Sequence, residues 1–205
     1  MTKIGLISDT HSFLDDAVFE HFKNCDEVWH AGDFGSVEIV NKLRGNWSDR
    51  PGLTRLADES NKELKTVSDR DGQTGIFSNQ NPATIIISQF RAVYGNIDGP
   101  EIRSILPEQL VFMCEEIKVM MRHIGGYPPR YNPETKKELA LHKPQLFISG
   151  HSHILKVMYD DKINCLHMNP GAAGKQGWHK TRTLLRFMID GKDIRDCEVI
   201  ELEGR

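Results

Sequence analysis

The feature that most constrains this chain is a short apolar run near its start that ends in a carboxylate and an imidazole. Ile4–Ile7 contains two isoleucines and a leucine, and Asp9 and His11 follow it. The run is too short for a membrane span and too abrupt for a helix, so we predict a buried parallel strand. Strands of open α/β sheets present functional groups at their carboxyl ends, where an Asp-x-His pair suits a divalent metal. Alone, the pair also fits a helix cap and a loop histidine.

The same arrangement recurs along the chain, because further oxygen or nitrogen ligands follow other predicted strands. They are Asp33 after Glu27–His30, Asn96 after Arg91–Tyr94, His123 after Ile117–Met121, and His151 with His153 after Gln145–Ser149. A lone histidine after a strand is usually a hydrogen-bonded core residue, but five such segments in order are hard to explain that way. Seven ligands exceed what one ion usually takes from a protein, so two ions that share a carboxylate would use them better.

Local patterns also predict the neighbouring elements. Ser36 is placed to cap a helix, and Asn132 with Pro133 begins another helix that runs through Leu141. Further strands are predicted at Leu110–Cys114, which forms a hairpin with Ile117–Met121, and at Ile154–Tyr159, Ile163–Met168, Thr183–Ile189 and the edge strand Cys197–Leu202.

Bulk properties narrow the class of protein. A length of 205 residues suits one sizeable core, so we predict a single domain over 1–205. The net charge of -3 and the scattered Lys and Arg argue against a nucleic-acid groove. The chain shows no apolar run of membrane-span length, no signal peptide and no CxxC pair, so we expect a cytoplasmic protein with reduced thiols and no membrane partner.

One segment departs from this pattern. From about 45 to 89 apolar residues thin out and Gly, Asn, Asp and Ser multiply, although Leu53–Val67 keeps helical spacing and Thr84–Ile87 could form a strand. We predict a polar, partly helical insertion. A lid, a specificity loop, a dimer contact and a tolerated surface excursion all remain open for it.

Five motifs follow one another in the chain: Asp9-x-His11, Gly32-Asp33, Gly95-Asn96-x-Asp98, His123 and Gly150-His151-x-His153. This ordered set resembles that of the calcineurin-like metallophosphoesterases, and within them the small YfcE-like phosphodiesterase branch. The resemblance covers about 1–44 and 91–189. It implies an α/β fold with four α/β/β/α layers, in which helices flank two mixed β-sheets.

The resemblance also implies a ligand set and a reaction. One metal would be bound by Asp9, His11, Asp33 and His153, and the other by Asp33, Asn96, His123 and His151. The ions would be Mn²⁺ or a similar metal (Ni, Fe, Zn or Co), because imidazole ligands disfavour Mg²⁺ and Ca²⁺. Asp33, Asn96 and His123 would be catalytic, and the two ions would activate a hydroxide for in-line attack on a small phosphodiester.

One position departs from many relatives, which have a histidine after the asparagine to help protonate the leaving oxygen. This chain has Ile97 at that position. The YfcE-like branch also tends to lack the histidine, so the difference agrees with a resemblance to that branch. We therefore expect the best activity on diesters with acidic leaving groups, with monoesters a further option. The alternative function is a protein-binding scaffold like the retromer subunit Vps29, but the seven ligand positions all keep ligand-competent residues.

Weaker candidates surround the seven ligands. Gly125 and Gly126 could let backbone N–H groups approach a phosphate, and Arg130 could line the substrate mouth, although a plain turn and a surface loop explain them equally well. We expect His30 either to orient a metal ligand or to have a structural role in the core. Asp98 either holds Asn96 or a ligand histidine in place or caps a turn. Homo-oligomerisation remains open.

Overall fold

The computed structural model describes residues 1–48 and 90–204, so the predicted helix over 53–67 and strand over 84–87 lie outside the described residues. The helices are α1 (Ala17–Phe22), α2 (Val37–Ser48), α3 (Pro100–Ile105) and α4 (Pro133–His142). The strands are β1 (Thr2–Ile7), β2 (Glu27–His30), β3 (Phe90–Ala92), β4 (Gln109–Cys114), β5 (Ile117–Arg122), β6 (Gly126–Tyr127), β7 (Arg130–Tyr131), β8 (Leu146–Ile148), β9 (Leu155–Asp160), β10 (Cys165–Pro170), β11 (Arg182–Asp190) and β12 (Asp193–Leu202).

Two five-stranded mixed sheets form the centre of the fold. The first has the order β12-β11-β1-β2-β3, in which β1, β2 and β3 are parallel and β11 runs antiparallel to β1. The second has the order β4-β5-β8-β10-β9, with β5, β8 and β10 parallel and an antiparallel strand at each edge. The parallel strands of both sheets lead into the predicted ligands.

Alternation along the strands divides the apolar residues into layers. Ile4 and Leu6 of β1 face the second sheet and pack with side chains such as Met121 and Ile148. Ile7 faces the opposite way, into a cluster that includes residues of α1, α2 and α3. Gly5 leaves room for the ring of α1 residue Phe22, because a Cβ there would lie 2.6 Å from it.

The outer face of the second sheet is covered by α4. Leu139 of α4 packs with Met120, Phe147 and Cys165. The layers are therefore helices, sheet, sheet and helix, which confirms the predicted four-layer sandwich. No helix in residues 1–48 and 90–204 is long and apolar enough to cross a membrane.

Some element boundaries were predicted wrongly. The helix α2 continues through Gly45 to Ser48 rather than giving way to the insertion at about 45, since Gly45 has open space around it and costs only about 1 kcal/mol relative to alanine. The strand predicted at Arg91–Tyr94 is β3 at Phe90–Ala92. The helix α3 and the hairpin β6–β7 were not predicted, because six and two residues are too few for a periodic signal.

Candidate metal centre

All seven predicted ligands follow the carboxyl ends of parallel strands. Asp9 and His11 follow β1, Asp33 follows β2 and Asn96 follows β3 in the first sheet, while His123 follows β5 and His151 with His153 follow β8 in the second. Because the two sheets pack face to face, these loops meet at one end of the sandwich.

One group of ligand atoms consists of Asp9, His11 and His153, all within 4.8 Å of one another. The Nε2 atoms of the two histidines are 3.1 Å apart. Asp9 Oδ1 lies 3.2 Å from His153 Nε2 and 3.8 Å from His11 Nε2. Two ring nitrogens and a carboxylate oxygen therefore surround one small volume.

A second group consists of Asp33, His123 and His151, whose ligand atoms also lie within 4.8 Å of one another. His123 Nε2 is 3.2 Å from Asp33 Oδ2, and the His123 and His151 rings meet edge to face at 5.4 Å between centroids. The two groups correspond to the sets that the family resemblance implies for separate ions, apart from Asn96 and the shared Asp33.

The carboxylate of Asp33 faces both groups. Its Oδ2 lies 3.2 Å from His123 Nε2 in the second group and 3.8 Å from His11 Nε2 in the first. Asp9 Oδ1 is also 3.9 Å from His123 Nε2. The two groups are therefore adjacent, and Asp33 has the position that a bridging ligand requires.

Asn96 belongs to a loop that closes over Asp33. The Ile97 N–H donates to Asp33 Oδ1 at 3.0 Å, and a Cβ at Gly95 would overlap the Asp33 carboxylate. Asn96 is itself exposed, and with His123 it lines a cavity of about 310 Å³. Its place next to the second group fits the predicted ligand, although its role as one stays a prediction.

The donor set fits a cation. Asp9 is fully buried, and its Oδ2 accepts from Ser8 Oγ and the His151 N–H, yet Oδ1 has no hydrogen-bond partner. Leaving such a buried oxygen unsatisfied is unfavourable, and a bound cation would satisfy it. The orientation of His123 supports the same conclusion. Its Nδ1 donates to the Ala31 carbonyl at 2.7 Å, which leaves Nε2 facing the carboxylates as a nitrogen that could bind a metal.

Charge and burial tune the ionisable ligands. Burial, together with the neighbouring histidines, lowers the pKa of His11 and of His151, which favours the neutral form that binds metals. Burial acts to lower the pKa of His123 too, but contact with the Asp33 and Asp9 carboxylates raises it. The pKa of Asp33 is lowered, because His123 and the Ile97 N–H outweigh the opposing effect of burial.

The ligand backbones are held in an unusual conformation. Asp9, His11, Asp33, His151 and His153 all have a positive φ, between 47° and 67°. Non-glycine residues adopt this region uncommonly, and such residues cluster at functional sites. The strand ends therefore turn sharply so that adjacent ligands point into the same space.

A layer of buried polar residues supports these turns. Asp98 accepts hydrogen bonds from the N–H groups of Asp33, Gly35 and Gly95. It therefore caps a turn and also joins the Asp33 loop to the Asn96 loop. His30 contacts Thr10 Oγ1 at 3.1 Å and the Gly32 N–H at 3.1 Å, which are the orienting contacts expected of it.

The other predicted substrate contacts lie beside the centre. Gly126 and Arg130 belong to the hairpin β6–β7, and Gly125 lies in the turn before it against the Phe147 ring. None of the three lines the cavity at Asn96. Their contact with a phosphate stays a prediction.

Sequence reasoning missed a loop that packs on a ligand. The His179 ring lies 5.2 Å from the His153 ring, and its Nε2 is 3.0 Å from the Gly174 carbonyl. A Cβ at Gly177 would overlap His153 Nδ1. The glycines at 174 and 177 were the available signal, since each allows close approach to the metal centre.

The chain belongs to the calcineurin-like phosphoesterase superfamily, whose domain model matches residues 2–54 and 72–192. Comparison with curated proteins gives no match.

Solved structures with the same fold include a phosphodiesterase and vacuolar protein sorting proteins. A novel archaeal phosphodiesterase is 21% identical with a TM-score of 0.61, and the alignment covers 98% of this chain and 99% of that one. A Thermotoga maritima protein is 21% identical with a TM-score of 0.60 and coverage of 98% and 100%. Vps29 of Entamoeba histolytica in complex with Zn²⁺ is 13% identical with a TM-score of 0.58 and coverage of 98% and 99%.

Proposed function

We propose that this protein is a metal-dependent phosphodiesterase that hydrolyses a small phosphodiester with two divalent ions bound. The observation that carries the proposal is the pair of adjacent ligand groups that face a common carboxylate, Asp33. Membership of the phosphoesterase superfamily supports the reaction class. We further propose that it acts in the cytoplasm, on neither a membrane nor a nucleic acid.

The residues would bind the metal ions, orient one another and limit the negative charge near the substrate. When bound, two ions supply Lewis-acid charge and an activated water for attack on phosphorus. Asp33 would hold both ions, His123 would present Nε2 while Ala31 orients its ring, and Asn96 would add a neutral oxygen. A neutral ligand limits negative charge beside an anionic substrate.

The metal would be Mn²⁺ or a similar transition ion. The set contains four imidazoles, two carboxylates and one amide oxygen, which suits such ions better than Mg²⁺ or Ca²⁺. Zn²⁺ is the first alternative to test, because the Vps29 neighbour of Entamoeba histolytica was solved with it.

The substrate would be a diester with an acidic leaving group. Ile97 follows Asn96 with 45% of its surface exposed, so a hydrocarbon side chain occupies the position from which a histidine protonates the leaving oxygen in many relatives. Aryl diesters, whose leaving group is a phenolate, need that proton least.

The test is turnover by metal-reconstituted protein with Asp33→Asn as the variant and Asp161→Asn, at an exposed turn, as the control. We expect wild type and control to bind two ions and hydrolyse bis(4-nitrophenyl) phosphate. The variant should lose at least about a hundredfold in kcat/KM and should also lose bound metal, because the substitution removes a negative charge that both metal sites would share. Full activity in Asp33→Asn would contradict the bridging role.

A non-catalytic binding scaffold is the second candidate. It is favoured by the Vps29 neighbours and by the exposed apolar side chains Val157, Met158 and Tyr159 on the edge strand β9. Protein that binds both ions yet turns over neither diesters nor monoesters would favour the scaffold over the enzyme.

A further inference from the structure

A cavity opens beside one side of the candidate metal centre. Its volume is about 310 Å³, at the lower end of the range of about 300–1,000 Å³ typical of small-molecule sites. Asn96 and His123 form the wall shared with the centre, whereas Asp9, His11 and His153 do not line it. A phosphodiester at the centre would therefore have room here for one of its two organic groups.

The cations of the cavity are already engaged. Arg122 lies between Glu108 at 2.7 Å and Glu134 at 2.6 Å. Arg103 donates to the main-chain carbonyls of Asp98 at 2.6 Å and Asn96 at 3.1 Å. A second phosphate group would therefore meet two carboxylates and no uncommitted guanidinium among the lining residues.

The remaining walls suit an uncharged ring. The Arg103 guanidinium lies 4.7 Å from the centre of the Tyr94 ring, whose hydroxyl donates to Glu108 Oε2 at 3.3 Å, so a planar cation and an aromatic ring line this part of the cavity. Ile124 is 41% exposed and adds an apolar surface. Glu108 and Glu134 are more than half exposed, so their oxygens can accept further hydrogen bonds from hydroxyl or amine groups.

We propose that this cavity binds an uncharged, ring-bearing alcohol group of the substrate, such as a nucleoside, and so selects nucleoside diesters over small alkyl diesters. The inference rests on the proposed function, because it assigns the substrate class of that same site. Ile124 is the specificity-determining residue that the structure offers for a test, since a larger side chain there would fill the cavity.

A binding experiment tests the cavity without turnover. Thymidine 5′-monophosphate and methyl phosphate are titrated into Mn²⁺-loaded protein by calorimetry. Both carry one phosphate, so the ratio of their dissociation constants reports the organic group. We expect thymidine monophosphate to bind at least about tenfold more tightly, since ring stacking in such sites commonly contributes that much.

Two tryptophan variants locate the effect. Ile124→Trp should bring the ratio to within about twofold of unity, because the added ring occupies the cavity. Ile163→Trp is the matched control, since Ile163 is 40% exposed and does not line the cavity, and it should keep the wild-type ratio.

Thymidine 3′,5′-bisphosphate should bind no more tightly than the monophosphate. Equal affinities in wild type, or an unchanged ratio in Ile124→Trp, would overturn the proposal.

A turnover experiment separates this inference from the proposed function. Thymidine 5′-(4-nitrophenyl) phosphate and methyl 4-nitrophenyl phosphate share a leaving group, so their kcat/KM ratio isolates the group that is retained. We expect the ratio to exceed about tenfold in wild type and to fall in Ile124→Trp. If turnover is absent but the binding ratio is preserved, the proposed enzymatic function is wrong and the cavity assignment stands. If both diesters are hydrolysed equally well, the cavity assignment is wrong and the enzymatic function stands.

Discussion

Asp98 shows how one buried side chain can organise the metal centre without touching it. It is only 3% exposed, and its Oδ2 accepts from the Asp33 N–H at 3.1 Å and the Gly95 N–H at 2.7 Å. Its Oδ1 accepts from the Gly35 N–H at 2.9 Å. Two loops from different strands are thus tied to one carboxylate, and Asp33, a predicted ligand, lies in one of them.

We predict that Asp98→Asn weakens both the fold and metal binding. The amide group would place a donor against main-chain donors, and hydrogen bonds to charged groups are worth about 1.5–3 kcal/mol each. Urea unfolding should show a loss of about that size, and metal affinity should fall by about 10–100-fold. Asp26→Asn is the control, since Asp26 accepts one bond from the Lys3 N–H at the surface. Equal effects of the two substitutions would contradict the argument.

At the scale of elements, α4 depends on a side chain that also reaches the cavity. Asn132 Oδ1 accepts from the Thr135 N–H at 2.7 Å, which caps the helix. Its Nδ2 donates to the Ile124 carbonyl at 2.7 Å. The start of α4 is therefore joined to the segment that directly follows His123.

We expect Asn132→Ala to destabilise the protein by about 1–2 kcal/mol, because it removes both the cap and the bond to Ile124. Asn132→Asp should cost less, since it keeps the accepting oxygen and places a negative charge at the helix N-terminus. Urea unfolding of the two variants measures the difference. A larger loss in the Asp variant would contradict this expectation and would indicate that repulsion between the new carboxylate and the Ile124 carbonyl outweighs the retained cap.

Elements with a complete local signal could be predicted from the sequence. The hairpin β4–β5 and the start of α4 at Asn132 and Pro133 are marked by alternation and by capping residues, and both were confirmed. The helix α3 begins at Pro100, but its six residues are too few for a periodic pattern, and the hairpin β6–β7 has strands of only two residues.

The same distinction holds within the site. The convergence of the candidate ligands could be predicted because each follows an apolar strand, and the loops of β1, β2, β5 and β8 do meet. The cavity could not be predicted, because Tyr94, Ile124 and Asn132 belong to separate segments that become neighbours only when the chain folds. Nothing in the sequence marks these segments as walls of one cavity.

At the scale of the whole molecule, one core histidine makes stability depend on pH. His167 of β10 is 1% exposed, and its Nε2 lies 2.9 Å from Ser149 Oγ. Burial, with a smaller contribution from Lys156, lowers the pKa of His167 to about 4. The folded protein therefore holds this ring neutral at a pH where the unfolded chain, with a pKa of about 6.5, takes up a proton.

We predict that acid weakens the fold partly through His167. Because the folded pKa lies below the unfolded one, the unfolded state binds more protons between about pH 6.5 and 4, and stability falls as pH falls through that window. Between about pH 7 and 5 this group should account for a loss on the order of 2 kcal/mol.

The variant His167→Gln isolates this effect, because glutamine keeps a polar atom near Ser149 without the titration. Urea unfolding of metal-free wild type and variant at both pH values gives the comparison. The variant should lose less stability on acidification, and identical losses would show that the charge of His167 is not involved.

The predicted ligands lie in loops beyond the strand ends, whereas the three apolar clusters of the described residues are built mainly from strand and helix side chains. The residues that hold the layers together are therefore different from those of the candidate site. Over evolutionary time such a chain is free to exchange loop residues, and so to acquire, retune or abandon a reaction, while its architecture is inherited unchanged. That separation is a physical reason why one fold can carry loops of different chemistry.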